Sequence, residues 1–119
     1  MQLRMDVRTL NDGIIVVDCA GRIVFGEETS ALRDRVKEIL TKDARIVLNL
    51  GEVTYIDSGG LGTLVALYTS AQSAGASIKL AHLTKRVGDL LQVTKLLTVF
   101  EVCGTEEEAV QSFRKSAAA

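Results

Sequence analysis

Asp57, Ser58, Gly59, Gly60, Leu61 and Gly62 stand where a β-type run of Val53, Thr54, Tyr55 and Ile56 gives way to helical periodicity. Leu61, Leu64, Val65 and Tyr68 then recur at intervals of three and four, so the spacing predicts a helix with Ser58 at or beside its N-cap. A hydroxyl there sits at the positive end of the helix. Gly59, Gly60 and Gly62 bring no side chains, which would leave the surface around the hydroxyl open to another molecule. Two roles fit such a serine: a structural cap for the helix, and an exposed group that accepts chemistry.

Three chemistries are open to it. The first is acyl transfer, since Asp57-Ser58-Gly59-Gly60 also occurs around the nucleophile of chymotrypsin-like proteases. Those enzymes carry their His and Asp upstream on a longer all-β framework, whereas the one histidine here, His82, lies downstream in an α/β pattern. A serine without a base is a weak nucleophile. Ile56 occupies the first glycine position of a Gly-x-Ser-x-Gly elbow, which removes the hydrolase variant too. The second chemistry is a phosphate-cradling loop. No Gly-Lys-Ser/Thr is present, and Val65 fills the third glycine position of a Gly-x-Gly-x-x-Gly begun at Gly60 and Gly62. The third is a covalent phosphate on Ser58, whose charge of roughly −1.5 to −2 would lie against the positive helix end without disrupting the fold.

The elements needed to hold that serine are legible along the chain. Leu3, Met5 and Val7 alternate with polar neighbours, Asn11, Asp12 and Gly13 supply turn chemistry, and Ile14 to Val17 follow as an apolar run, predicting an antiparallel hairpin with the second strand more buried. Gly21 is expected to begin a further short extended piece through Ile23, Val24 and Phe25. Gly26 to Thr29 lead into a helix carried by Leu32, Val36, Ile39 and Leu40. Ile46 to Leu50 read as a central strand buried on both faces. After the Ser58 helix come a strand at Ile78 and Leu80, a helix headed by Thr84 with Val87, Leu90 and Leu91, and a strand near Val99 to Val102. Thr105 and Glu108 have capping-box spacing, so a last helix through Ala109, Val110 and Phe113 closes the fold. Right-handed crossovers make this an α/β domain: a mixed sheet of about five strands with an N-terminal antiparallel hairpin and about four helices.

A chain of 119 residues is read as one domain, 1–119, with an ordered core over 1–115 and a frayed tail over 116–119. Fourteen basic and 15 acidic residues are spread evenly, so no basic face for nucleic acid is expected. No signal peptide or membrane-length apolar stretch is seen, which leads to a cytoplasmic reading with no membrane insertion. Cys19 and Cys103 are isolated from each other and from His82, so neither metal nor disulfide is expected and both are assigned to the core as reduced thiols. His82 is read as a strand-terminal hydrogen-bonding residue, Thr84 as a cap, with a second modification site as the alternative, and Leu96, Leu97, Val99 and Phe100 as core; exposure of part of that run would suggest a partner surface.

The pattern Asp57-Ser58-Gly59-Gly60-Leu61-Gly62, preceded by Tyr55, Ile56 and the strand Ile46 to Leu50, closely resembles the signature of anti-sigma factor antagonists of the STAS superfamily, and the resemblance spans nearly the whole chain. It implies a STAS fold, no catalysis and no cofactor. It implies a bacterial partner switch, in which the unphosphorylated antagonist binds a serine-kinase anti-sigma factor and frees the sigma factor, with a serine phosphatase as a further partner. Ser58 matches the phosphorylated serine; Asp57, Ser58, Gly59, Gly60, Leu61 and Gly62 match the partner-binding stretch. Asp57 would shape the loop there, or make a local Asx-type hydrogen bond. The chain departs from the pattern in two places: Gly59 stands where many relatives have Ser or Ala, and Gly21-Arg22-Ile23-Val24 replaces a frequent Gly-Glu-Leu-Asp. Glu27 and Glu28 lie near that loop, where they also complement a helix start. A second reading of the same resemblance is a STAS accessory or sensory module that is never phosphorylated and binds a transporter subunit or small ligand.

Overall fold

The computed structural model describes residues 2–118. Its elements are β1 (Arg4–Thr9), β2 (Ile15–Ile23), α1 (Glu27–Ile39), β3 (Arg45–Ile56), α2 (Ser58–Ser73), β4 (Ser77–Ala81), α3 (Lys85–Val93), β5 (Glu101–Cys103) and α4 (Glu106–Ala118). The five strands lie in sequence order, β1-β2-β3-β4-β5. β1 is antiparallel to β2, and every later pairing is parallel. Because each crossover moves one strand in the same direction, right-handedness sends α1, α2 and α3 to a single face. Side-chain alternation follows: Val17, Ile46, Leu48, Ile78 and Leu80 pack with Leu32, Val36, Leu64, Leu67, Val87 and Leu91 on that face. Val16, Val47 and Ala81 meet Ala109, Val110 and Phe113 of α4 on the other.

The hairpin forms as the sequence predicts, closed by the Leu10 N–H on the Ile14 carbonyl at 2.8 Å, and β2 is the more buried strand. Gly21 does not begin a new piece. β2 runs unbroken through Ile23 with register shifts against β3 at Asp18/Ala20 and Gly21/Arg22, so Gly21 marks a bulge inside the strand. A β-carbon there would lie 2.3 Å from the Gln2 carbonyl oxygen, which explains the glycine. Val24 and Phe25 lie outside the strand, and β3 extends six residues beyond Leu50 to Ile56.

Further differences concern the chain's second half. Phe100 is buried against Tyr68, ring centroids 5.4 Å apart, but Leu97 and Val99 are exposed and β5 begins only at Glu101. Cys19 is buried, whereas Cys103 is half-buried at the sheet edge. The Thr105 hydroxyl accepts the Glu108 N–H at 3.0 Å, as its spacing predicts. α4 continues to Ala118 through most of the expected tail over residues 116–119, and Ala119 lies outside the described residues. Lys79, buried under α4, is neutralised by Glu101 at 3.1 Å and lies over the Phe113 ring.

Candidate functional site

β3 and α2 are separated by one residue, Asp57, so the strand turns directly into the helix. Asp57 keeps an extended backbone and its carboxylate accepts the Gly60 N–H at 2.8 Å, making it the N-cap. Ser58 is therefore the first helical residue, one position later than a cap. Its side chain is exposed, and among the described residues no hydrogen bond engages its hydroxyl. The capping role considered for Ser58 thus belongs to its neighbour.

Asp57 has a second task. Both carboxylate oxygens accept the Phe25 N–H, at 3.1 and 3.2 Å, and the Asp57 N–H donates to the Ile23 carbonyl at 3.3 Å. These bonds tie the β2–α1 loop to the tip of α2, and the N–H groups of Gly60 and Phe25 hold the carboxyl below its ordinary range. The loop is closed on its far side by Thr29, whose hydroxyl accepts the Gly26 N–H at 3.0 Å and donates to the Gly26 carbonyl at 3.1 Å. Gly26, at φ 122, is in a region that only glycine enters readily. This sharp turn throws Phe25 outward, leaving it 80% exposed beside Ser58.

The three glycines do not share one purpose. A β-carbon on Gly60 would lie 2.1 Å from the Ile23 carbonyl oxygen and 2.8 Å from Ile56 Cγ1, so this glycine lets α2 pack against the ends of β2 and β3. At Gly59 it would lie 2.5 Å from Phe25 Cβ. Only Gly62 faces open space, with nothing within 4 Å, and it alone keeps the surface low as first expected. Leu61 is buried and anchors the helix.

A second group gathers at Tyr55, three residues before Ser58. Arg22 pairs with Tyr55 across β2 and β3, and its guanidinium lies 5.3 Å from the Tyr55 ring centroid. Arg86, in the first turn of α3, lies 5.4 Å from the same ring. The Thr84 hydroxyl brings α3 there by donating to the Val53 carbonyl at 3.2 Å while accepting the Val87 N–H at 3.3 Å. Sequence spacing could not reveal Phe25 as a neighbour of Asp57 and Gly59, or Arg22 and Arg86 as neighbours of Tyr55; the one available signal was an aromatic directly before a glycine at the end of an apolar run.

His82 lies elsewhere. Its ring fills the space left by Gly51, where a β-carbon would be 2.5 Å from Nδ1, and its N–H donates to the Cys103 carbonyl at 3.2 Å. From Gly51 to Ile56 is roughly 16 Å of strand, so the imidazole cannot serve as base to Ser58. Burial pushes the Cys19 thiol up to about 12, which leaves it unreactive. Among the described residues no group of three metal-ligating side chains occurs, and no helix is long and apolar enough to cross a membrane.

A strand running straight into a glycine-rich helix tip, on a sheet with three helices on one face and one on the other, matches known proteins. Residues 7–109 match the STAS domain, and the chain belongs to that family. It is 30% identical over 112 residues to the anti-sigma-B factor antagonist of Bacillus subtilis, covering 93% of this chain and all of that one. A candidate anti-sigma factor antagonist from Thermotoga maritima superposes with a TM-score of 0.82 at 25% identity, covering 92% of this chain and 94% of that one. The phosphorylated form of the Bacillus cell fate determinant SpoIIAA shares the fold, with a TM-score of 0.68 at 16% identity over 92% of this chain and 99% of that one.

Proposed function

We propose that this protein is an anti-sigma factor antagonist that works by partner switching in the bacterial cytoplasm. Unphosphorylated, its α2 tip binds a serine-kinase anti-sigma factor and so releases a sigma factor; phosphorylation of Ser58 ends the binding, and a serine phosphatase restores it. The observation that carries this reading is the Ser58 hydroxyl, exposed and unengaged at the first position of α2 because Asp57 performs the capping. The full-length likeness to the Bacillus subtilis anti-sigma-B factor antagonist supports the choice of partner.

The surface divides into parts that hold and a part that switches. Asp57 and Gly60 fix the tip, Phe25 and Gly62 offer an apolar projection and a flat approach, and Ser58 carries the exposed hydroxyl. A phosphate adds roughly −1.5 to −2 charge next to the Asp57 carboxylate. The positive end of α2 offsets part of that charge in the free protein, so the fold tolerates it. An interface closed over it must desolvate it, at a cost of several kcal/mol, and each ~1.4 kcal/mol is tenfold in affinity. Two or three decades of weakening then turn the switch off with no large motion.

The test is incubation with ATP and a serine-kinase anti-sigma factor, read by intact mass and peptide mapping. One phosphate at Ser58, absent in Ser58→Ala, is the expected result. A transporter accessory module would take up none, and phosphate on another residue would equally defeat the proposal.

A further inference from the structure

Arg22 and Arg86 approach one exposed tyrosine from two different elements, and neither has a carboxylate within 4 Å among the described residues. Their neighbours are already committed. Asp57 is taken up by the N–H groups of Phe25 and Gly60, and Asp89 by Lys85 at 2.8 Å. Fold stability does not account for the arrangement. Two like charges beside one ring repel, and a cation–π contact at an exposed site yields only about 0.5–1 kcal/mol. Arg86 also stands in the first turn of α3, where the helix dipole disfavours a cation and where no acidic residue is present. The ring they share is 36% exposed and precedes Ser58 by three residues.

We propose that Arg22, Tyr55 and Arg86 form an anion-reading patch beside Ser58 that engages a carboxylate-bearing segment of the protein partner. Each guanidinium keeps its fork of N–H donors free for bidentate pairing, and Tyr55 sets the spacing between them. The ring gives both forks a common resting place, which lowers without removing the side-chain entropy lost on binding. The patch would act chiefly on encounter: complementary charge raises association rates and excludes partners that present a basic surface there. In this chain the selectivity of the switch is thus set by cations, with Arg22 on β2 and Arg86 on α3 gathered at Tyr55, three residues before the serine that carries the on–off signal. The inference rests on the reading of the α2 tip as the partner surface.

The experiment has two arms on the whole chain, comparing wild type, R22E/R86E, and R33E/R35E on α1 as a charge-matched control, all first checked for equal thermal stability. In the first, a short polyglutamate peptide is titrated and followed by NMR. Shifts concentrated at the Arg22 and Arg86 Nε–H and the Tyr55 ring, lost in R22E/R86E and suppressed by salt, support the patch. Shifts spread equally over Arg33 and Arg35, shifts retained in R22E/R86E, or binding to phosphatidylglycerol vesicles without binding to the peptide overturn it. In the second arm, association with a serine-kinase anti-sigma factor is timed at low salt. R22E/R86E should associate at least tenfold more slowly than either other form, with little change in dissociation. If R22E/R86E associates like wild type while Ser58 phosphorylation still abolishes binding, the patch is wrong and the switch stands. If phosphorylation has no effect on binding while charge reversal still slows association, the switch is wrong and the patch stands.

Discussion

Gly60→Ala and Gly62→Ala make a matched pair two residues apart on one helix, and the structure requires opposite signs. At position 60 the added methyl would sit 2.1 Å from the Ile23 carbonyl oxygen and 2.8 Å from Ile56 Cγ1. The carbonyl cannot simply retreat, because it accepts the Asp57 N–H and lies at the end of a paired strand. Relief must come from lifting the first turn of α2, which pulls Leu61 and Leu64 from the core. Overpacking of this kind costs about 1–3 kcal/mol or more, against a helix-propensity gain of about 0.8–1 kcal/mol for replacing glycine by alanine. The net expectation is destabilisation by about 1–2 kcal/mol, a fall of roughly 4–10 °C in Tm for a domain of this size. At position 62 nothing lies within 4 Å, so the propensity gain stands alone and Tm should rise by a few degrees. Differential scanning calorimetry with urea unfolding reads both. Gly60→Ala within ~0.5 kcal/mol of wild type, or both variants shifting the same way, would refute the packing argument. Because Gly62 faces outward, its alanine variant should also bind the partner more weakly despite being the more stable protein.

Two other outcomes test the loop that frames Ser58. Phe25→Ala should change stability by no more than ~0.5 kcal/mol, since the ring is 80% exposed, yet weaken binding to a serine-kinase anti-sigma factor at least tenfold by calorimetry; unchanged affinity would remove Phe25 from the interface. Asp57→Ala should cost about 0.5–2 kcal/mol at neutral pH through the lost cap. The folded-state carboxyl titrates below its unfolded value of about 3.9, so its stabilisation is complete above that pH and disappears as pH falls through the lowered folded value. The gap between wild type and variant, measured by urea unfolding, should therefore be constant from pH 7 to about 5 and close in stronger acid; a gap independent of pH would show that the charge plays no part.

The sheet and its helices were legible because burial imposes periodicity. Val47, packed on α4, and Leu48, packed on the other face, are adjacent apolar residues in a strand covered on both sides, and the Ile46–Leu50 run advertised that. Gly21 misled because a glycine that breaks a strand and one that permits a bulge look alike until the partner backbone, here Gln2, is in place. Leu97 and Val99 misled because an apolar run of that length matches a buried strand, yet Lys95 in a left-handed turn redirects the chain and leaves them outside. At the site, the helix start and the serine could be read locally. The Asp57 cap is local as well, an Asx-type bond to the Gly60 N–H three residues on, whereas Gly60 as a packing residue, Phe25 as a projection and the Arg22–Tyr55–Arg86 grouping depend on contacts between β2, β3, α2 and α3, and no single stretch of sequence contains them.

The direct measurement of the switch is the affinity of a serine-kinase anti-sigma factor for this protein before and after stoichiometric phosphorylation of Ser58, by titration calorimetry with far-UV circular dichroism on both forms. The expected result is a fall in affinity of at least a hundredfold with an unchanged fold. Equal affinities for the two forms would contradict the account.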